Sequence, residues 1–229
     1  MNDREIILSR VREALSAPTD EQVRHGLTAG LSDEAVGEEA TFRAFLPRVG
    51  EAYEDRKRMF AEHSKALKTS FVVVASLRAA HAKLRQLAQI EGWRRIGAHR
   101  GELAGPASEA VGLATVFTDG GYVKRELEPC DAGVTDCEAL IAQTGSVLVK
   151  SASSGGRALS VLPPHHIVLA RREQMLADLP AGFRLIQEKY HRRYPSFISY
   201  ITGPSRTGDI ERVLVLGAHG PKRLTVILI

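Results

Sequence analysis

The chain is short of cysteine, of long apolar runs and of charge of one sign, and each shortage removes a class of protein. Cys130 and Cys137 are its only cysteines, too few for a disulfide framework. They also fall short of a cubane iron–sulfur cluster or a structural zinc, which ordinarily take four protein ligands. Their spacing is not that of a redox Cys-x-x-Cys pair, so packing is their expected role. No apolar run approaches the roughly 20 residues of a membrane helix. The opening Met1-Asn2-Asp3-Arg4-Glu5 has no signal-peptide apolar stretch, so a cytoplasmic protein without a membrane span is expected. With 31 basic against 27 acidic residues the net charge is only +4, and the basic residues are scattered. A nucleic-acid footprint needs them gathered on one face, so no nucleic-acid partner is expected. Also missing are the Gly-Lys-Ser/Thr ending of a Walker loop, the Gly-x-Gly-x-x-Gly of a dinucleotide fold and the Gly-x-Ser-x-Gly of a hydrolase elbow.

What is present is a chain of 229 residues, 44% hydrophobic and 25% charged, close to globular averages. Residues 1–37 read as an N-terminal helix and linker. Ile7, Leu8, Val11 and Leu15 share a helical stripe behind Asp3 as a plausible cap, and Pro18 opens a small, polar stretch. Residues 38–229 read as one α/β domain. Pro47 divides residues 38–68 into two helical pieces with Phe42, Phe45, Leu46, Val49 and Tyr53 as their apolar set. Strands are expected at 71–75, 95–99, 113–117, 146–150, 166–170, 197–201, 213–216 and 224–229. Helices are expected at 76–90, at 135–142 behind a Thr135/Glu138 capping box, and at 172–192. Short apolar runs alternating with helices predict a largely parallel sheet with helices on both faces, the C-terminal run deep within it.

In open α/β sheets, ligands bind beyond the carboxyl ends of strands near a topological switch point, and four tracts at strand ends carry suitable chemistry. The densest is Ile201-Thr-Gly-Pro-Ser-Arg-Thr-Gly-Asp-Ile-Glu211. Gly203 and Gly208 let backbone N–H groups approach an anion, and Thr202, Ser205 and Thr207 add hydroxyls. Arg206 offers a fork for carboxylate or phosphate. Asp209 and Glu211 can orient a substrate hydroxyl, act as acid or base, or contact a partner. The plainer alternative is a Gly-Pro turn with Thr207 capping a short helix. His219, between glycines in Gly217-Ala-His-Gly-Pro221, can be acid, base or ligand, or can simply bridge a turn. Thr144 and Ser146 flank Gly145, a natural helix stop, and are possible anion contacts. His165 and His166 are adjacent, so on a strand they point to opposite faces and do not chelate one metal. One is expected to be a satisfied core histidine and the other, His166, a site residue; no metal site is expected. Ser153-Ser-Gly-Gly-Arg157 reads as a turn.

Taken together and in order, the stretches Gly133-Val-Thr…Ile141-Ala-Gln-Thr-Gly-Ser146, Leu162-Pro…His166-Ile, Ile201–Glu211 and Gly217-Ala-His-Gly-Pro221 resemble the LUD domain of the lactate utilization protein C family. The likeness runs from about residue 130 to the end. Gly208 stands where the family often has Ala, and Ser146 where it often has Thr. The resemblance implies an α/β fold like ribose-phosphate isomerase, glucosamine-phosphate deaminase and the CoA-transferases. It also implies a cytoplasmic subunit acting with iron–sulfur partner proteins in oxidation of L-lactate to pyruvate, the clusters being held by those partners and no cofactor by this chain. The motif positions become a candidate site for a small carboxylate or phosphate. Its ligand contacts are Thr144, Gly145, Ser146, His166, Thr202, Gly203, Pro204, Ser205, Arg206, Thr207 and Gly220, with Asp209, Glu211 and His219 as chemical groups. The alternative is an independent enzyme or binding protein for a phosphosugar, a CoA ester or a folate-like acid on the same fold.

Overall fold

The computed structural model describes Glu5, Ser9 and residues 46–151, 157–191, 193–208, 214–216 and 220–229. Internal contacts divide the chain into Met1–Pro47 and Arg48–Ile229, and all the elements named here belong to the second unit. Apart from Glu5 and Ser9, the expected terminal helix and linker, the boundary at 37/38 and the helical piece before Pro47 lie outside the described residues.

Helix α1 (Tyr53–Leu67) begins several residues after Pro47, with Glu54 and Asp55 in its first turn and Lys65 in its last. Acids near the N-terminus and a base near the C-terminus suit the helix dipole. Lys68, in the left-handed region at φ 62°, ends it by donating its N–H to the carbonyls of Lys65 and Ser64. Then come β1 (Ser70–Val73), α2 (Leu77–Glu91), β2 (Arg95–Ala98), α3 (Ala104–Val111) and β3 (Ala114–Phe117). The Ser76 side chain caps α2 by accepting from the N–H of Ala79. Next are the short α4 (Lys124–Leu127), β4 (Ala132–Asp136), β5 (Ala139–Ile141), β6 (Ser146–Lys150) and β7 (His165–Ala170). The chain continues through β8 (Met175–Leu176), α5 (Leu179–Tyr190), β9 (Ile198–Ile201), β10 (Arg206–Gly208), β11 (Leu214–Leu216) and β12 (Arg223–Leu228).

Six strands form a wholly parallel sheet in the order β1-β12-β7-β4-β2-β3. The fold is α/β, as the pattern predicts. β12 lies between β1 and β7 with Leu224–Leu228 buried, the deep position expected of that apolar run. On one face α2 and α3 press Ala80, Leu84, Ala104 and Ala107 onto Ile96, Val134, Ile167 and Leu169. The other face differs from the expectation of helices alone. It is covered by α1 together with a second, four-stranded mixed sheet, β8-β5-β6-β9. Phe60 of α1 and Leu140, Val147 and Val149 of the small sheet meet Val168, Val226 and Leu228 of the large one. Each such buried aliphatic contributes about 1.5–3 kcal/mol. Leu148, between the two valines, points the other way, onto Ile186 of α5.

Two expected helices are corrected. Residues 135–142 form the end of β4 and the strand β5, not a helix. The Thr135 hydroxyl that would have capped a helix bonds instead to His166 Nε2 at 2.8 Å. Leu140 is buried in one core cluster while Ala139 and Ile141 are buried in another, which only an extended chain can do. Gly145 therefore ends a hairpin turn rather than a helix, still in the left-handed region at φ 65°. Residues 172–192 divide into a 3-10 turn (Arg172–Gln174), β8 and α5, because the Asp178 side chain accepts from the N–H of Ala181 and starts a new helix with Pro in its first turn.

Candidate functional site

Three of the sequence-marked tracts converge beside the C-terminal end of α1. Thr144 Oγ1 lies 2.7 Å from Ser146 Oγ, and Ser146 Oγ lies 2.7 Å from Thr202 Oγ1. This hydroxyl chain joins the β5–β6 turn to the end of β9. Both turns need glycine to close on the helix. A Cβ on Gly145 would lie 2.8 Å from His63 Cβ, and one on Gly203 (φ 88°) would lie 3.2 Å from Leu67 Cβ. His63 and Leu67 are one helical turn apart, so two left-handed turns grip one stripe of α1. Arg206 donates from its guanidinium to the carbonyl of Leu67, meeting one of the orphan carbonyls of the helix end. That end carries partial negative charge, which Arg206, Lys65 and Lys68 offset. Ser205 donates its N–H to the carbonyl of Pro221 at 2.9 Å, and a Cβ on Gly220 would lie 3.1 Å from Ser205 Cβ, so the 220–221 segment joins the cluster. Pro204 lies within this turn, half-buried.

The cluster sits near the starts of β1 and β12, since Leu67 lies three residues before the first and Pro221 two before the second. The rule of the carboxyl ends therefore does not account for these tracts. Thr207 is placed in β10, paired with Val215, while Asp209, Glu211 and His219 lie outside the described residues. His165 and His166 do point to opposite faces, but both are buried. His165 bonds Glu91 Oε2 through Nδ1 at 3.0 Å and Thr225 Oγ1 through Nε2 at 2.8 Å. His166 bonds Thr135, and its Nδ1 has no partner among the described residues. Burial, then the neighbouring His165, pushes the pKa of His166 down to about 3, so its ring is neutral at physiological pH.

A second polar cluster, marked by no motif, lies at the carboxyl ends of β2 and β4. These two strands are neighbours from which the chain continues in opposite directions, β2 to β3 and β4 toward β7, which is the switch point of the sheet. His99, just past β2, accepts at Nε2 from the N–H of Asp136 at 3.0 Å. The Asp136 carboxylate accepts from Ala104 N at 2.7 Å and Leu103 N at 3.3 Å, capping α3. Gly101 packs directly on the pair: a Cβ there would lie 2.2 Å from His99 Cε1 and 2.3 Å from Asp136 Oδ2. Burial lowers the pKa of His99, although the Asp136 and Asp119 carboxylates pull it upward. A sequence signal did exist, in a histidine closing a strand before Arg100-Gly101.

A third cluster ties the small sheet to α5. Glu138 accepts from Lys189 Nζ and Tyr190 Oη, both at 2.7 Å, and faces Lys150 Nζ at 3.0 Å. Burial alone would raise its carboxyl, but the hydrogen bonds from Lys189, Tyr190 and Lys150 win and hold it at about 2. Cys130 and Cys137 lie in different core clusters. Burial raises both thiols, Cys130 to about 11, so both stay protonated at neutral pH.

Residues 57–229 match the model of the LUD domain. The chain belongs to the LUD domain family. Over 120 residues this LUD protein is 36% identical to lactate utilization protein C of Deinococcus radiodurans, covering 52% of the chain and 56% of that relative. To lactate utilization protein C of Bacillus subtilis it is 33% identical over 107 residues, 46% of the chain and 45% of the relative. The LUD chain thus spans about half the length of the curated relatives it matches. A crystal structure of a DUF162 family protein from Deinococcus radiodurans shares the fold at a TM-score of 0.61 and 20% identity, covering 78% of this chain and 99% of that one. Among the described residues, no helix of the LUD protein is long and apolar enough to cross a membrane.

Proposed function

We propose that this LUD protein serves lactate utilization as a cytoplasmic subunit acting with iron–sulfur partner proteins in the oxidation of L-lactate to pyruvate. Its hydroxyl loops hold a small carboxylate or phosphate, or shape the partner that does the chemistry. The carrying observation is the convergence of Thr144, Ser146 and Thr202 with the Gly203–Arg206 turn and Gly220 on one end of α1. Hydroxyls, a guanidinium and backbone freed by glycine are the groups that bind oxyanions. Electrons pass through the partners' clusters in this reading, because the two thiols of this chain are buried apart from one another and held protonated. The relatives named lactate utilization protein C supply the choice of pathway.

The test mixes the purified chain with L-lactate and an artificial electron acceptor, with and without the iron–sulfur partner proteins. The expected result is no turnover by the chain alone and turnover once the partners are added. Conversion of a phosphosugar or an acyl-CoA by the isolated chain would favour the independent enzyme instead, and full turnover by the partners without this chain would end the proposal.

A further inference from the structure

The segment 99–104, between β2 and α3, is tied to the carboxyl end of each neighbouring strand. Arg100 donates its backbone N–H to both oxygens of Asp119 beyond β3, at 3.0 and 2.8 Å. Leu103 and Ala104 donate to Asp136 at the end of β4. The side chain of Glu102 reaches Arg171 beyond β7 at 2.7 Å. Because β4 lies between β7 and β2, this ion pair spans the end of β4 and the Asp136–His99 pair there. The two carboxylates of the floor, Asp119 and Asp136, are both met by backbone donors.

His99 is the group left with something to offer. It is 3% exposed. A backbone N–H can only donate, so Nε2 accepts from Asp136 and the ring proton resides on Nδ1. That Nδ1–H has no hydrogen-bond partner among the described residues. It is not one of the buried polar atoms left without a partner, so it still meets solvent, and a ligand oxygen can take the place of water there. The strap above it is weak: Arg171 is 45% exposed and Glu102 79%, and exposed pairs contribute about 0–1 kcal/mol. An incoming carboxylate can therefore take the place of Glu102 on the Arg171 fork, in the bidentate geometry that guanidinium favours.

We infer that the carboxyl ends of β7, β4 and β2 form a second anion site, taking a small 2-hydroxy or 2-oxo carboxylate with its carboxylate on Arg171 and its hydroxyl or carbonyl oxygen on His99 Nδ1. The choice of acid rests on the proposed place in lactate utilization; the site itself rests on the switch-point geometry. A neutral imidazole N–H aimed at a carbonyl oxygen polarises it without giving up a proton, a role known for histidine elsewhere.

The probes are sodium pyruvate and sodium L-lactate, with inorganic phosphate as the competing anion, titrated into the whole chain and followed by amide and imidazole nuclear magnetic resonance. Saturable shifts are expected at His99 Nδ1 and at amides 99–103. His99→Gln keeps an acceptor for the Asp136 N–H but loses the donor, and the dissociation constant rises about tenfold. Arg171→Gln does the same, whereas Glu102→Gln frees Arg171 and tightens binding about threefold, an effect that a purely structural strap would not give. The exposed Arg171 and Glu102 variants carry the test should His99→Gln not fold. No saturable binding, shifts confined to 144–146 and 202–206, equal affinity for phosphate, or dissociation constants unchanged in all three variants would overturn the site. None of these outcomes involves the partner proteins, so the site can fail while the partner-dependent assay succeeds, and the reverse.

Discussion

The Ser146 and Thr202 hydroxyls lie 2.7 Å apart although 56 residues separate them in the chain. Ser146 is 1% exposed and starts β6; Thr202 follows β9 and is exposed. This single bond fastens two neighbouring antiparallel strands at the end where both glycine turns reach α1. Ser146→Ala and Thr202→Ala are each expected to cost about 1 kcal/mol in urea unfolding. The double variant should cost less than the sum, because the partner is already lost. Strict additivity would show that the two hydroxyls do not interact in solution.

Glu138 gathers three cationic or phenolic donors and is nearly buried. Glu138→Gln is expected to lower stability at pH 7 by about 2 kcal/mol, a value discounted for the half-exposed Lys189. The folded pKa of about 2 lies below the ordinary carboxyl value, so the contribution of the charge is complete above about pH 4.5 and is lost as pH falls toward 2. The variant should therefore lack that part of the acid limb. An unfolding free energy with the same pH dependence as wild type below 4.5 would contradict this.

Histidine sets a separate, milder acid limb. His99, His165 and His166 all titrate below the ordinary value, with burial the leading cause in each. The unfolded chain binds their protons first, so stability is full above about pH 6.5 and declines below it, for His166 until about pH 3. Each group adds a slope of up to about 1.4 kcal/mol per pH unit. Replacing the Thr135–His166 pair by Val and Leu should reduce proton uptake on unfolding between pH 6 and 5 by up to about one proton. Unchanged uptake would mean that His166 is not held neutral.

The turn at 158–160 lies on the sheet because the paired neighbours Gly97 of β2 and Gly133 of β4 leave room for Leu159. A Cβ on Gly133 would fall 2.2 Å from the carbonyl oxygen of Leu159, a backbone atom, whereas one on Gly120 would meet nothing within 4 Å. Gly133→Ala is expected to cost about 2 kcal/mol or more, and Gly120→Ala less than about 0.5 kcal/mol. Thermal melts of the two variants check this; equal melting temperatures would refute the close approach.

Five of the six strands of the large sheet, all but β4, were legible because buried parallel strands are apolar on both faces, and runs such as Ile167–Ala170 and Leu224–Leu228 show it without help from neighbours. Residues 135–142 were not, since Thr135 and Glu138 at capping-box spacing look like a helix start. What decides them is distant: His166 takes the hydroxyl, and Lys150, Lys189 and Tyr190 take the carboxylate. The hydroxyl cluster was half legible. Its loops stand out by glycine and hydroxyl content, but nothing in α1 marks His63 and Leu67 as the surface on which they close. His99 and Asp136 were passed over for the opposite reason, being single polar residues that become a pair only when β2 and β4 are set side by side.

The most direct measurement is lactate oxidation by the reconstituted system, with this chain supplied as wild type, as Arg206→Met or as Ser146→Ala/Thr202→Ala, each first shown to be folded. The expected result is activity that depends on adding the chain and falls about tenfold or more with either variant, the size of a lost charge-assisted contact or hydroxyl pair. Full activity with both folded variants would contradict the assignment of the hydroxyl loops.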